Sequence, residues 1–204
     1  RFVLFTLDAY GDVNLDPNAP ADQGPAHQTG PLFRKDLDTG DIVRVDVLSD
    51  GSYVTPSWGV GSATMSADGN VVVFEHGNTE YAGLERVSGG HGHVYHKNLT
   101  TGELQVVDIQ PDGSVSDNSA HDGGYGIDVS DDGSIVTFLS SALVETTYVG
   151  PGAGTLQTNY VTDLLIDGLE VSQYASVYVR DMSITSGTPI TLANAAQDGT
   201  PSDN

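Results

Sequence analysis

Hydrophobic positions in this chain come in short runs of about four to six residues, separated by Gly, Asp, Asn and Ser. The clearest run is Val71-Val72-Val73-Phe74, released by the turn Ser66-Ala67-Asp68-Gly69-Asn70. It recurs as Ile135-Val136-Thr137-Phe138 after Ser130-Asp131-Asp132-Gly133-Ser134, and the chain opens on the same run, Phe2-Val3-Leu4-Phe5, without the turn. β-branched runs bounded by Asp-Gly read as strands entered through tight turns. Runs this short, with few good helix formers at helical spacing, predict an all-β chain.

Three further markers repeat alongside this unit. An aromatic-centred strand closes on a turn at Leu32–Gly40, again at Val94–Gly102, and again from Val177 through Met182 to Gly187. A short strand follows each: Asp41–Val45, Glu103–Val107 and Pro189–Leu192. Asp-Gly pairs come next, at Asp50-Gly51, Asp112-Gly113 and Asp198-Gly199. Val60–Met65 and Tyr125–Val129 supply one more short strand before each Ser-x-Asp-Gly. Phe5 and Phe74 lie 69 residues apart, Phe74 and Phe138 lie 64 apart, and Asp36 and Asn98 lie 62 apart. Asn98 and Asp181 lie 83 apart, so the third repeat carries an insertion of about twenty residues. Four short strands per repeat at this length predict β-propeller blades, whose faces are buried only when neighbours stack. A solenoid fits less well, because the repeats are too long and their loops too variable. The 204 residues form one domain on this reading, with repeats over 1–58, 59–122 and 123–204.

The successive patterns Ser-x-Asp-Gly-x-x-Val-x-Phe and Val-Tyr-x-[Lys/Arg]-[Asp/Asn]-Leu-x-Thr-Gly resemble the TolB-like (WD-type) β-propeller repeats of bacterial and archaeal extracytoplasmic proteins. The resemblance runs along nearly the whole chain outside the variable loops. It implies a propeller fold and an extracellular or periplasmic location. It leaves function open, because such repeats serve as scaffolds, docking modules and regulatory domains of hydrolases. It also implies that the strand before Ser-x-Asp-Gly is the innermost of its blade. The count is then eleven strands where three full blades need twelve, the first blade lacking its innermost. Three blades fall below the usual four to eight of a closed ring. The expectation is a segment of a larger propeller; the other reading is that identical chains complete one another through open sheet edges.

Charge narrows the partners. With 28 acidic and 7 basic residues the formal net charge is −21, and such a surface repels phosphate backbones and anionic lipid. It attracts cations, and it also serves solubility or salt adaptation. There is no Cys, which excludes disulfides and thiolate metal sites. No apolar run reaches the length of a membrane span, and no signal peptide lies in the given chain.

The strongest chemical candidate is the loop from Asp8 to Asn18. Asp12, Asn14 and Asp16 place oxygen donors at alternate positions, as a backbone wrapping a hard cation requires, with Asp8 and Asp22 as additional donors. This makes Ca²⁺ the candidate ion. The match to an EF-hand loop is partial, since Pro17 replaces the turn Gly and Gln23 stands where a bidentate Glu would be. The competing reading is a polar connection rich in Asx-turns. Asp117, Asn118, His121 and Asp122 form a second polar group open to the same two readings. The Asp-Gly pairs at 50, 68, 112, 132 and 198 are read as structural turns.

His91, His93 and His96 invite a transition-metal reading, but three-residue spacing on a strand sends His93 and His96 to opposite faces. Position 96 matches Arg34 and Val179 in the other repeats and is expected to be variable and exposed. No Gly-x-Ser-x-Gly elbow, catalytic Cys or phosphate loop is present, and Gly150–Gly154 lacks the Lys and helix of one. In the insertion from about Leu143 to Ala175, Asn159–Val171 is expected to form an extra hairpin turning at Asp167-Gly168. Its apolar Leu164, Leu165, Ile166 and Leu169 are expected to cap a blade edge or meet a partner.

Two functions follow as expectations. The first is a non-catalytic extracellular propeller, structural or protein-docking, stabilised by Ca²⁺ and assembling with a protein partner or further copies of itself. The second is the propeller portion of a larger hydrolase or polysaccharide-degrading enzyme.

Overall fold

The structure, a computed structural model, describes residues 1–7, 15, 30–53, 60–77, 93–108, 126–140, 164–166, 169–171, 176–184 and 190–192. Every regular element among them is a strand. In chain order these are β1 (Phe2–Thr6), β2 (Leu32–Asp36), β3 (Ile42–Arg44), β4 (Val60–Met65), β5 (Val71–His76), β6 (His93–Asn98) and β7 (Leu104–Val106). They continue with β8 (Asp128–Val129), β9 (Ile135–Ser140), β10 (Leu164–Ile166), β11 (Leu169–Val171), β12 (Ser176–Asp181) and β13 (Ile190–Leu192). All pair antiparallel, in the orders β1-β2-β3, β4-β5-β6-β7 and β8-β9-β12-β13, with β10-β11 as a separate hairpin. The first sheet has three strands and the next two have four, as the repeat count predicts. The predicted extra hairpin is present, with Leu164 opposite Val171 and Ile166 opposite Leu169. The strand expected over 125–129 is shorter, only Asp128–Val129.

The Ser-x-Asp-Gly turns are built twice in the same way. Ser66 Oγ donates to Asp68 Oδ1 at 2.7 Å, and the Asn70 amide donates to the same oxygen at 3.0 Å. The Val71 amide donates to Ser66 Oγ at 3.0 Å, and the Gly69 amide to the Ser66 carbonyl at 2.9 Å. Ser130, Asp132, Gly133 and Ile135 repeat this pattern, Ser130 Oγ lying 2.6 Å from Asp132 Oδ1 and the Ile135 amide 2.9 Å from Ser130 Oγ. Gly69 and Gly133 sit at φ of +67° and +78°, where a Cβ is disfavoured. Hydrogen bonds from the Ser130 hydroxyl and the Ser134 amide and hydroxyl hold the Asp132 carboxyl down at about 2. These turns join β4 to β5 and β8 to β9, so the motif serves as a strand connection. The second turn family uses Asp36 and Asn98, whose Oδ1 atoms each accept two amides, from Asp38 and Thr39 and from Thr100 and Thr101.

The three sheets share one register. Phe5 faces Phe33, Phe74 faces Tyr95 and Phe138 faces Tyr178, with ring centroids 5.7, 5.6 and 5.8 Å apart. Two residue pairs further along, on the same face, lie the rows Val3–Lys35–Ile42, Val72–Lys97–Leu104 and Val136–Arg180–Ile190. All six residues of β5 are buried, because its two faces serve different cores. Val72 and Phe74 join Leu32, Val45, Val60 and Tyr95, a core that links the first and second sheets. Val71 and Val73 join Val94, Val107, Val136, Phe138 and Tyr178, which links the second and third. A strand buried on both sides must be apolar throughout, which is why this run reads as continuous rather than alternating.

Candidate functional site

Inside the cores the repeats carry polar side chains, and these mark both the joints between sheets and one chemical cluster. On the forward face of the first sheet, Arg34 Nη1 donates to the Gly69 carbonyl at 2.7 Å, while its guanidinium lies 4.5 Å from the Phe2 ring centroid. The matching residue of the second sheet, His96, places Nε2 2.9 Å from the Gly133 carbonyl. A carbonyl oxygen only accepts, so Nε2 carries the proton. His96 is therefore buried and structural, and the expectation of an exposed, variable position is corrected. The reason is that the neighbouring turn folds over this face and offers an unpaired carbonyl. Nor do His93 and His96 share a face, as their spacing requires.

On the backward face, Lys97 Nζ donates to the carbonyls of Val47, Leu48 and Gly102 at 3.0, 3.0 and 2.8 Å. Burial lowers its pKa, against the pull of Asp50. Arg180 repeats this from the third sheet, donating through Nη1 to the Val106 and Val107 carbonyls, the latter at 2.7 Å.

The chemical cluster lies where β5 ends, β6 begins and the chain leaves β3 and β7. Arg44 Nε donates to Asp46 Oδ1 at 3.0 Å and Nη2 to Oδ2 at 3.1 Å, while the Leu32 amide also donates to Oδ1 at 3.1 Å. Burial pushes the Asp46 carboxyl up, with Arg44 opposing it. Asp108 is its counterpart in the following repeat. Its Oδ1 accepts the Val94 amide at 3.0 Å and its Oδ2 lies 2.8 Å from His93 Nδ1. The Asp108 side chain thus orients the ring and places an N–H on Nδ1. His76, opposite His93 in the register, is held neutral: burial, then the Arg44 charge, lowers it to about 3. Glu75, 9% exposed, is raised to about 7 by burial and then by the negative charge of Asp108.

This arrangement can hold and exchange protons near neutrality through Glu75 and can orient an imidazole through Asp108. It does not form a metal centre: among the described residues no group of three or more His, Asp or Glu side chains is arranged to hold an ion. The predicted Ca²⁺ donors Asp8, Asp12, Asn14, Asp16 and Asp22 lie outside the described residues, as do His91, Asp117, Asn118, His121 and Asp122. Of the Asp-Gly pairs, those at 50, 68 and 132 are turns in the structure, with the Ser52 amide donating to Asp50 Oδ1 at 2.9 Å; those at 112 and 198 lie outside.

Sequence reasoning overlooked Asp46 and Asp108, yet a signal existed. Each follows a Val just past the third strand of its repeat, 62 residues apart, Val45-Asp46 and Val107-Asp108. Glu75 had a fainter one: it interrupts a strand position held by Thr6 and Leu139 in the other repeats.

No family model matches the sequence, and no curated protein matches it. Among solved structures the chain is similar to one titled "Crystal structure of the tricorn protease", with a TM-score of 0.41 and 13% identity over 82% of this chain. The match spans 11% of that protein's chain, and a likeness at this level carries no argument about function.

Proposed function

We propose that the chain is a non-catalytic segment of a β-propeller, its three sheets stacked as blades, working outside the cytoplasm as a structural or protein-docking module. One observation carries the reading: the cationic and histidine side chains at the two sheet joints, half-buried at Arg34 and buried at His96, Lys97 and Arg180, donate to backbone carbonyls. Arg34, Lys97, His96 and Arg180 tie each sheet to the next through main-chain oxygens, whose positions are set by the fold. Groups committed in this way rigidify a stack and offer little to a substrate. The acidity of the chain favours partners with basic or neutral surfaces. Ca²⁺ bound by Asp8, Asp12, Asn14, Asp16 and Asp22 belongs to this reading as a stabilising ion, on sequence grounds alone.

The second reading, the propeller portion of a hydrolase or polysaccharide-degrading enzyme, has a specific observation in its favour. A carboxyl raised to about 7 stands in the same cluster as an oriented His–Asp pair. The two readings separate on one experiment. The purified chain is assayed against ester, peptide and glycoside substrates beside Glu75→Gln and His93→Asn, with the fold of each checked by circular dichroism. The scaffold reading expects no turnover above the buffer rate. Turnover in the wild type that falls at least 100-fold in folded Glu75→Gln would overturn it.

A further inference from the structure

We propose that Asn98 is a site of N-linked glycosylation, its side-chain Nδ2 receiving an oligosaccharide from a lipid-linked phosphate donor outside the cytoplasm. This rests on the extracytoplasmic reading above and adds a covalent modification to it. Asn98-Leu99-Thr100 is the only Asn-x-Ser/Thr triplet in the 204 residues, and its middle residue is not Pro. It therefore has the form that an N-glycosylating transferase accepts. Such triplets also arise by chance, and three features of the structure set this one apart.

The first is its place. The triplet forms the hairpin turn between β6 and β7, with Asn98 and Leu99 half-buried and Thr100 and Thr101 exposed. Leu99 packs against the core that links the first and second sheets, and its amide donates to the Asn70 carbonyl at 2.7 Å. The turn is thus anchored through Leu99.

The second is that the turn uses only one end of the Asn98 side chain. Oδ1 accepts the Thr100 and Thr101 amides at 2.9 and 3.0 Å. Nδ2 donates to nothing among the described residues, where only Arg34 Nε and Arg180 Nε are buried without a partner. Nδ2 therefore reaches solvent. Thr100 likewise lends the turn its amide alone, and its hydroxyl makes no hydrogen bond among the described residues.

The third is the comparison with the sister turns, which carry Asp at this position. Asp36 Oδ1 accepts the Asp38 and Thr39 amides at 2.8 and 3.3 Å, and Asp181 Oδ1 accepts the Ser183 amide at 2.9 Å. A charged acceptor suits converging amides better than a neutral one, and the Asp38 amide above all lowers the Asp36 carboxyl. The turn itself is thus served at least as well by an acid, in a chain that has 28 of them. What Asn adds is the NH₂ group, and that is the group the modification consumes.

In the transfer a bond forms between Nδ2 and the anomeric carbon of the donor sugar. The bond from that carbon to the phosphate oxygen of the lipid carrier breaks, its electron pair leaving with the phosphate. One Nδ2 proton passes to a base of the transferase. The amide keeps its carbonyl, so Oδ1 still accepts both amides and the turn survives the modification. A glycan there holds this end of the second sheet in water, so a docking partner must approach from another side.

The test is peptide mapping by tandem mass spectrometry of the full-length protein isolated from its source cells, with fractionation of cells and medium alongside. A sugar mass is expected on the peptide spanning Asn98, with fragments that place it on that residue. Asn98→Asp, produced in the same cells, should lose the mass completely and keep the wild-type circular dichroism, since Asp36 and Asp181 already serve such turns. Thr100→Ala should lose it as fully, and Thr100→Ser should retain it. An unmodified Asn98 in protein recovered from the envelope or medium would overturn the proposal and leave the location standing. Protein confined to the cytoplasm would overturn the location, and the proposal with it. A sugar mass that survives Asn98→Asp would place the attachment on a hydroxyl and overturn the proposal alone.

Discussion

His96 Nε2 lies 2.9 Å from the carbonyl oxygen of Gly133, joining the middle of one sheet to the turn that opens the next. The same joint one repeat earlier is made by Arg34 and Gly69 at 2.7 Å. A guanidinium and an imidazole thus do one job, because the acceptor is a main-chain oxygen and asks only for an N–H. Replacing His96 with Val, the residue found at the matching position 179, removes that donor and leaves the Gly133 carbonyl buried without a partner. We expect His96→Val to lower stability by about 1–3 kcal/mol in urea unfolding. His96→Gln, which keeps an N–H donor at similar reach, should recover at least half of the loss. Equal losses in the two variants would show that packing, not the hydrogen bond, holds the joint.

Gly133 is under two demands at once. Its φ is +78°, and a Cβ there would fall 2.6 Å from Val71 Cγ2 of the preceding sheet. Gly69 repeats both, with φ at +67° and Phe2 Cδ2 at 2.4 Å. Either Gly→Ala substitution should therefore destabilise by more than the ~1 kcal/mol of the left-handed backbone alone, by about 2–4 kcal/mol. Gly40 is the internal control: φ is +86°, but nothing stands within 4 Å of its Cβ position. Gly40→Ala should cost only the backbone share, and a melting series of the three variants separates strain from crowding.

How much of this was legible in the sequence follows from what each feature depends on. Strand succession was legible because Ser66-x-Asp68-Gly69 and Ser130-x-Asp132-Gly133 encode their turns locally, through their own side chains and a glycine. The hairpin at Leu164–Ile166 and Leu169–Val171 was legible for the same reason, as apolar runs about a turn dipeptide. The roles of His96 and Lys97 were not, because the acceptors that cross the joints lie 37 residues from His96 and 50 and 49 from Lys97, and are main-chain atoms without a sequence signature. Residue 96 looked exposed because its counterparts Arg34 and Val179 differ in polarity, yet Arg34 and His96 both carry the donor that a buried carbonyl requires. Asp46 and Asp108 were visible as a repeat but not as buried acids, since nothing local marks the burial of a carboxyl just past a strand.

Ca²⁺ removal tests the loop from Asp8 to Asp22, where alternate oxygen donors stand in the sequence. If the ion binds the folded chain, EGTA should lower the melting temperature by several degrees, and excess Ca²⁺ should restore it. Asp12→Ala combined with Asp16→Ala should begin at the lower value and no longer respond to EGTA. A wild-type melting curve unchanged by EGTA would remove Ca²⁺ from the account while leaving the sheets and their joints untouched.

The pH dependence of stability should carry the signature of Glu75. Its carboxyl is raised from an ordinary 4.5 to about 7, first by burial and then by Asp108. A group raised in the folded state contributes fully below its unfolded pKa, and that contribution is lost as pH climbs through the folded value. Glu75 therefore costs the fold nothing at about pH 4, and its penalty develops between about 4.5 and 7. Asp46 is also raised, and it adds to the slope in the same direction, so the assignment needs a variant. Glu75→Gln keeps the shape and removes the charge. It should match the wild type near pH 4 and exceed it near pH 8 by about 1–2 kcal/mol, the shift being discounted for residual solvent access. Ionisation of Glu75 should also weaken the joint it faces, between the second and third sheets. Hydrogen exchange at the Val94 and Val136 amides is then expected to quicken from about pH 6 to about pH 8, beyond the intrinsic rate, in the wild type and not in Glu75→Gln. Parallel pH profiles in the two proteins would place the titration elsewhere and leave Glu75 ionised in the fold.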